Sequence, residues 1–268
     1  MKGGRVNQYL VFDDILRQYC VDIASTLGVC SIIHEEDLIF KFVLEHPCFS
    51  QRTRSAVEYY FNDGSNSAKK LYQLIQDNLN IDRDKRYRLL EFASGFGCVT
   101  RHLKKHFPDF EVIACDIHEA AIDFIVNTVR TKAILSKKSP EDFFQQESFD
   151  VVFALSFFSH MPEHTWGRWL KSLFNAVSDD GLLIFTCHGK DSRKYIGNPV
   201  IPDSGFYFKH SSEQTDLSSE EYGTTLTHKK FVLNEIEKQT GDSLVCFKQG
   251  NWWQHQDIYI LKKSTTSD

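Results

Sequence analysis

The chain of 268 residues carries a formal net charge of −5 and is 41% hydrophobic, enough for one large domain or a domain with an appendage. The acidic balance and the lack of a long basic stretch argue against nucleic acid as a partner, and no run approaches the ~20 apolar residues a membrane span needs. Seven scattered cysteines with no C-x-x-C pair read as reduced thiols of a cytoplasmic protein, so neither a disulfide frame nor a bound metal is expected.

Residues 1–80 read as a helical N-terminal extension. Met1-Lys2-Gly3-Gly4-Arg5 leads to Asp13 and Asp14 with no long apolar run, so no signal peptide is expected. Tyr9, Phe12, Ile15, Leu16 and Tyr19 recur at helical spacing, as do Leu38, Phe42 and Leu44 before Pro47. A further helix is expected from Arg52 to Phe61, broken by Asn62-Asp63-Gly64, and a fourth from Ser67 through Leu71, Leu74 and Ile75. Their amphipathic pattern suits a lid over a cleft.

Residues 81–268 alternate between strands and helices behind a charged connector, Asp82-Arg83-Asp84-Lys85-Arg86. Strands are expected at Tyr87-Arg88-Leu89-Leu90, at Phe110 to Cys115, at Lys132 to Ser136, at Phe149 to Leu155 and at Leu182 to Phe185, where Gly181 breaks the chain beforehand. Helices are expected over Thr100 to His106, Ala120 to Thr131, and Glu163 to Val177 behind Pro162. This alternation predicts an α/β fold with a parallel, doubly wound sheet, whose ligands sit at the strands' carboxyl ends. Residues 189–226 read as a long substrate-side connection with Gly197, Pro199, Pro202 and Gly205, a length often tied to function. A helix over Lys229 to Gln239 follows, with Thr227 as N-cap and Gly241 as stop. Strands at Leu244 to Phe247 and Asp257 to Leu261 and a loose tail from Lys262 complete the chain.

The first strand runs into Glu91-Phe92-Ala93-Ser94-Gly95-Phe96-Gly97, an acid followed by small residues that let backbone approach a ligand. A carboxylate there would repel a dinucleotide's pyrophosphate and attract a ligand bearing an ammonium and a sulfonium; S-adenosylmethionine (SAM) carries both. Asp116 ends the second strand roughly twenty residues on, where nucleotide-binding α/β folds keep a ribose acid. Gly95 and Gly97 are followed by Thr100, so the dinucleotide pattern G-x-G-x-x-G is absent.

With these residues in place, 87–188 resembles the core of a class I SAM-dependent methyltransferase. Glu91, Gly95 and Gly97 match the family's first motif, with Ala93 in place of its first glycine. Asp116 matches the ribose acid, Phe149-Asp150 opens the matching fourth strand, and Asp179-Asp180-Gly181 the turn into the fifth. The resemblance implies a seven-stranded Rossmann-like sheet with its last strand antiparallel, SAM as cofactor, and donor contacts from Glu91, Ala93, Ser94, Gly95, Gly97, Asp116, Ile117, Ser139, Leu155 and Ser156. It departs where the family keeps an adenine-binding acid: Lys138 stands there, with Ser139, Glu141 and Asp142 as substitutes. His118, next to the ribose acid, is expected to pack on the adenine.

An alcohol acceptor needs a base, and histidine suits that task near neutral pH. His160 after the fourth strand, His188 ending the fifth and His255 before the last are the candidates, with His210 less readily placed. Trp166 and Trp169 lie at helical spacing and read as core, whereas the adjacent Trp252 and Trp253 cannot both point inward. Segments 156–170, 212–225 and 250–261 resemble bacterial methyltransferases of polysaccharide and natural-product assembly, which implies a carbohydrate or other small-molecule hydroxyl as acceptor. A non-catalytic SAM-binding protein and a small-molecule N-methyltransferase are the alternatives.

Overall fold

The computed structural model describes residues 14–49, 52–82, 84–143 and 148–265. Three helices come first: α1 (Asp14–Leu27), α2 (Leu38–Glu45) and α3 (Thr53–Asn78). Then β1 (Tyr87–Phe92), α4 (Thr100–His106), β2 (Phe110–Asp116), α5 (Glu119–Phe124), β3 (Lys132–Leu135), β4 (Phe149–Ala154), α6 (Glu163–Asn175) and β5 (Val177–His188) alternate. A short hairpin of β6 (Phe206–Lys209) and β7 (Thr224–Thr227), helix α7 (Lys229–Thr240), β8 (Leu244–Trp252) and β9 (Gln256–Lys262) complete the fold.

Seven strands form one sheet in the order β3-β2-β1-β4-β5-β9-β8. β1 to β5 run parallel, and β9 enters antiparallel between β5 and β8. This is the α/β sheet that the alternation predicts, with its antiparallel last strand. The middle of the sheet reads as unbroken apolar runs because both faces are covered; every residue of β4 is buried. One face packs on α6 and α7 through Trp166, Trp169, Phe185 and Tyr259, the other on α3 and α4 through Leu71, Leu103, Phe153 and Ile258. The strand order reverses between β1 and β4, so their carboxyl ends open the crevice where such sheets bind ligands. No helix among the described residues is long and apolar enough to cross a membrane.

Several local expectations differ from the structure. Tyr9 and Phe12 lie outside the described residues. The two helices expected around Asn62-Asp63-Gly64 are one helix, α3. Gly64 is buried, and a Cβ there would collide with the backbone oxygen of Cys98, so this glycine permits close packing of α3 on the glycine turn and does not end a helix. Gly181 does not interrupt β5 either: Val177 pairs with Phe149 and Leu182 with Val151, and the residues between bulge out. The long connection holds a 3-10 turn at Lys190–Ile196 and the β6–β7 hairpin, formed because Phe206 and Leu226 bury inward. Thr227 is no helix cap; it ends β7 and its hydroxyl donates to the His188 carbonyl, while His228 holds the cap position. Lys262 and Lys263 are not loose, since the backbone N–H of each donates to a carbonyl of the body, Ser243 and Gly181.

Candidate active site

Glu91 sits near the end of β1 with 3% of its surface exposed. Thr100 Oγ1 donates to its Oε2 at 2.6 Å. No cationic side chain among the described residues pairs with it. Burial pushes its carboxyl up to about 8, against the Thr100 hydrogen bond, and nearby Asp116 adds to the rise. The turn that follows is left-handed at Ala93 (φ 58°), Gly95 (53°) and Gly97 (76°). Ala93 adopts this conformation despite its methyl group; at Gly97 a Cβ would meet Thr100 and Ile125 only at ordinary contact distance, so the positive φ alone is what favours glycine there.

The turn is tied to β2. Ser94 N–H donates to the Cys115 carbonyl at 3.0 Å and Gly95 N–H to Asp116 Oδ2 at 2.7 Å. Ser94 Oγ is buried and has no hydrogen-bond partner. An orphaned buried hydroxyl, a buried carboxyl lacking a cation and a second carboxylate at the next strand end fit SAM: Ser94 Oγ would be a donor for its carboxylate, Glu91 the partner of its ammonium and Asp116 of its ribose.

His118 is held at both ring nitrogens. Its Nδ1 stands 2.7 Å from Asp116 Oδ1 and its Nε2 3.0 Å from Asp216 Oδ2, in the loop between β6 and β7. The Asp116 hydrogen bond raises the imidazole above its ordinary value, against the effect of burial. Ile117 is half-buried beside it. On the adenine side, Ser139 Oγ donates to Glu141 at 2.6 Å, and Glu141 is exposed and paired with Arg168 of α6, which holds its carboxyl well below the usual range. Glu141 is therefore turned to α6 and is not a free substitute for the family's adenine acid.

Leu155 and Ser156 follow β4, both half-buried, with Ser156 left-handed at φ 60°. Ser156 N–H donates to Thr186 Oγ1 (2.8 Å), Thr186 donates to Gln256 Oε1 (2.6 Å), and Gln256 Nε2 donates to Ser156 Oγ (2.8 Å). This closed circuit joins the ends of β4, β5 and β9. Sequence reasoning missed Thr186 and Gln256; the available signal was a polar side chain within or beside a strand's apolar run, which must find a partner once buried.

The three candidate histidines come together. Ring centroids of His160 and His188 lie 6.2 Å apart, and those of His188 and His255 lie 5.8 Å apart. His160 is buried and stacks on Tyr222 at 4.6 Å; its Nδ1 lies 2.8 Å from the Gly223 carbonyl and its Nε2 3.4 Å from Glu213 Oε1. His188 Nδ1 faces the Thr225 carbonyl at 3.1 Å. Burial, then His160 and His255, push His188 down to about 3, so it stays neutral. His255 Nδ1 meets Ser192 Oγ at 3.0 Å, and burial lowers it too. His210 lies apart on the rim with Glu220. Trp252 is buried against Phe153, while Trp253 turns out and donates to Asp63 of α3 at 2.7 Å; burial lifts the Asp63 carboxyl to about 6.

The segment between α1 and α2 packs on the turn after β1. Buried Arg101 donates to the Gly97 and Phe96 carbonyls of the turn and to the Cys30 and Ile32 carbonyls between α1 and α2. His34 stacks on Phe96 at 4.5 Å.

Known proteins share this fold. Residues 90–183 match the methyltransferase-domain family. A malonyl-[acyl-carrier protein] O-methyltransferase of Bacillus cereus is 24% identical over 192 residues, 70% of this chain and 67% of that protein. A SAM-dependent methyltransferase structure from Clostridium acetobutylicum superposes with a TM-score of 0.55 at 13% identity, covering 85% of this chain and 98% of that one. A glycopeptide N-methyltransferase complexed with SAM gives 0.54 at 12% identity over 76% and 95%.

Proposed function

We propose that this class I SAM-dependent methyltransferase places the methyl group on a hydroxyl oxygen of a sugar or other small molecule. SAM supplies an activated methyl on a sulfonium; this chain's residues bind, align and dry the two reactants. Glu91 takes the ammonium and Asp116 the ribose hydroxyls. Ser94 Oγ, unpartnered in the turn, donates to the carboxylate. Ser139, Ile117, Leu155 and the Ser156 backbone border the nucleoside.

The observation that carries an alcohol acceptor is the histidine cluster at the carboxyl ends of β4, β5 and β9. His160 is the base in this reading. Its Nδ1 is fixed on the Gly223 carbonyl, which leaves Nε2 as the lone-pair nitrogen. Glu213, at 3.4 Å, is longer than a hydrogen bond and gives way to the incoming hydroxyl, then stabilises the imidazolium as the proton arrives. His188, held neutral, and His255 orient the acceptor. In this reading residues 14–49 and the β6–β7 loop cover the two sides of the cleft against water. The malonyl-[acyl-carrier protein] relative supports an oxygen acceptor. The carboxylate of Glu213 favours a second reading, an amine acceptor: it can draw in the ammonium form, and once that form has lost its proton the neutral amine attacks with its own lone pair, without an essential histidine base.

The test incubates the protein with SAM and panels of sugars, phenols and amines and follows S-adenosylhomocysteine. His160→Asn should lower turnover of a hydroxyl acceptor by about 100-fold, the usual worth of a general base. Unchanged rates in His160, His188 and His255 variants alike would favour the amine.

A further inference from the structure

The loop between β6 and β7 crosses back to the donor side at a single acid. Asp216 Oδ2 stands 3.0 Å from His118 Nε2, and His118 Nδ1 stands 2.7 Å from Asp116 Oδ1. The Nε2 contact is an ion pair without hydrogen-bond alignment, so a neutral ring bonds Asp116 through Nδ1 alone, while the imidazolium is attracted to both carboxylates. The backbone N–H of His118 also donates to Asp116 Oδ1 at 3.1 Å, so the ring and its own chain grip the same oxygen. The other Asp116 oxygen is held by Gly95. We propose that Asp216, acting through His118, is a positioning residue for the donor: it locks Asp116 in its ribose-binding orientation, and donor retention thereby depends on the closed position of the acceptor-side loop.

The proposal rests on Asp116 being the ribose acid. It gives the β6–β7 loop contacts on both reactants' sides, since Glu213 of the same loop meets His160. The closed loop is then a feature of the donor-bound enzyme, and a lost Asp216 contact loosens both. Other ionisable groups face this relay. Tyr222 lies near Asp116, Asp216 and Glu213, and burial holds its hydroxyl well above the ordinary value; Cys115 is likewise raised, so both stay neutral. Glu91 lies near Asp116 and titrates in the neutral range.

Calorimetric titration of the whole chain with S-adenosylhomocysteine from pH 6 to 8.5 tests this, comparing wild type, Asp216→Asn and Asp216→Glu. At pH 6 Asp216→Asn should bind about two- to fivefold more weakly, the worth of a half-exposed ion pair, and Asp216→Glu should recover most of the loss. The ratio between wild type and Asp216→Asn should shrink toward one as rising pH discharges His118. Glu91 titrates alike in all three and cancels from the ratio. A ratio of one throughout, a ratio that ignores pH, or a Glu variant no better than the Asn variant would overturn the relay. Absence of binding by the wild type would overturn the donor assignment itself, and the relay with it.

Discussion

Asp116 accepts the backbone N–H of Gly95 through Oδ2 at 2.7 Å, so the acid that ends β2 also braces the glycine turn that follows β1. The two strand ends are therefore one mechanical unit. If Asp116 holds the ribose, as proposed, a change there removes a ligand contact and loosens the turn together.

Asp116→Ala should weaken SAM binding by about 10- to 100-fold, since hydrogen bonds to a charged group are worth about 1.5–3 kcal/mol each. Asp116→Asn, which keeps an oxygen for Gly95, should lose less. Calorimetry with SAM measures both, and equal affinities for wild type and Asp116→Ala would refute the role.

Glu91 makes donor binding a proton-linked event. Its carboxyl stands at about 8 in the protein alone, so it is mostly protonated at pH 7. An ammonium placed beside it favours the anion, so SAM binding should release close to one proton at pH 7 and strengthen as pH rises toward 8. Calorimetry at pH 7 in two buffers of different ionisation enthalpy reads the release directly, and Glu91→Gln should abolish it. The stability of the protein alone has the opposite trend. The folded-state value lies above the unfolded one, so the folded chain binds this proton more tightly, and stability falls as pH rises from about 4.5 toward 8. Thermal melts of Glu91→Gln should lack that part of the fall.

Gln256 should matter beyond its distance from the donor turn. Gln256→Leu leaves Thr186 without its acceptor and removes the donor to Ser156, both buried or half-buried. A loss of about 1–3 kcal/mol in stability is expected from the unsatisfied Thr186 hydroxyl. Turnover should fall further than the melt explains, because Ser156 opens the segment that carries His160. A variant with a lowered melting temperature and a wild-type turnover would remove the circuit from the account.

Gly64→Ala should destabilise the chain by about 1–3 kcal/mol, the cost of overpacking against a backbone atom that cannot move aside. Denaturant unfolding at fixed pH checks this, and an unchanged midpoint would mean that α3 can shift away from the turn.

The sheet and the left-handed turn after β1 were legible because local signals carry them. Apolar runs ending in Glu91 and Asp116, with glycines needing positive φ between, fix strand, turn and acid without reference to distant residues. The lid junction was not legible. Gly64 reads as a breaker in a sequence window, and its use as a close-packing site depends on Cys98, which only the fold brings near. The β6–β7 pair was hidden for the same reason, since its two short strands are separated by a polar loop and owe their pairing to burial of Phe206 and Leu226. The candidate histidines could be gathered from strand ends, but their partners could not. Glu213, Asp216 and Gln256 come from segments whose path across the carboxyl edge no spacing reveals.

A crystal structure of the chain with S-adenosylhomocysteine tests the central claim most directly. The ligand's amino group should lie within hydrogen-bonding distance of Glu91, with both ribose hydroxyls on Asp116. Density for the ligand elsewhere in the fold, or in this cleft with its ribose turned away from Asp116, would contradict the account.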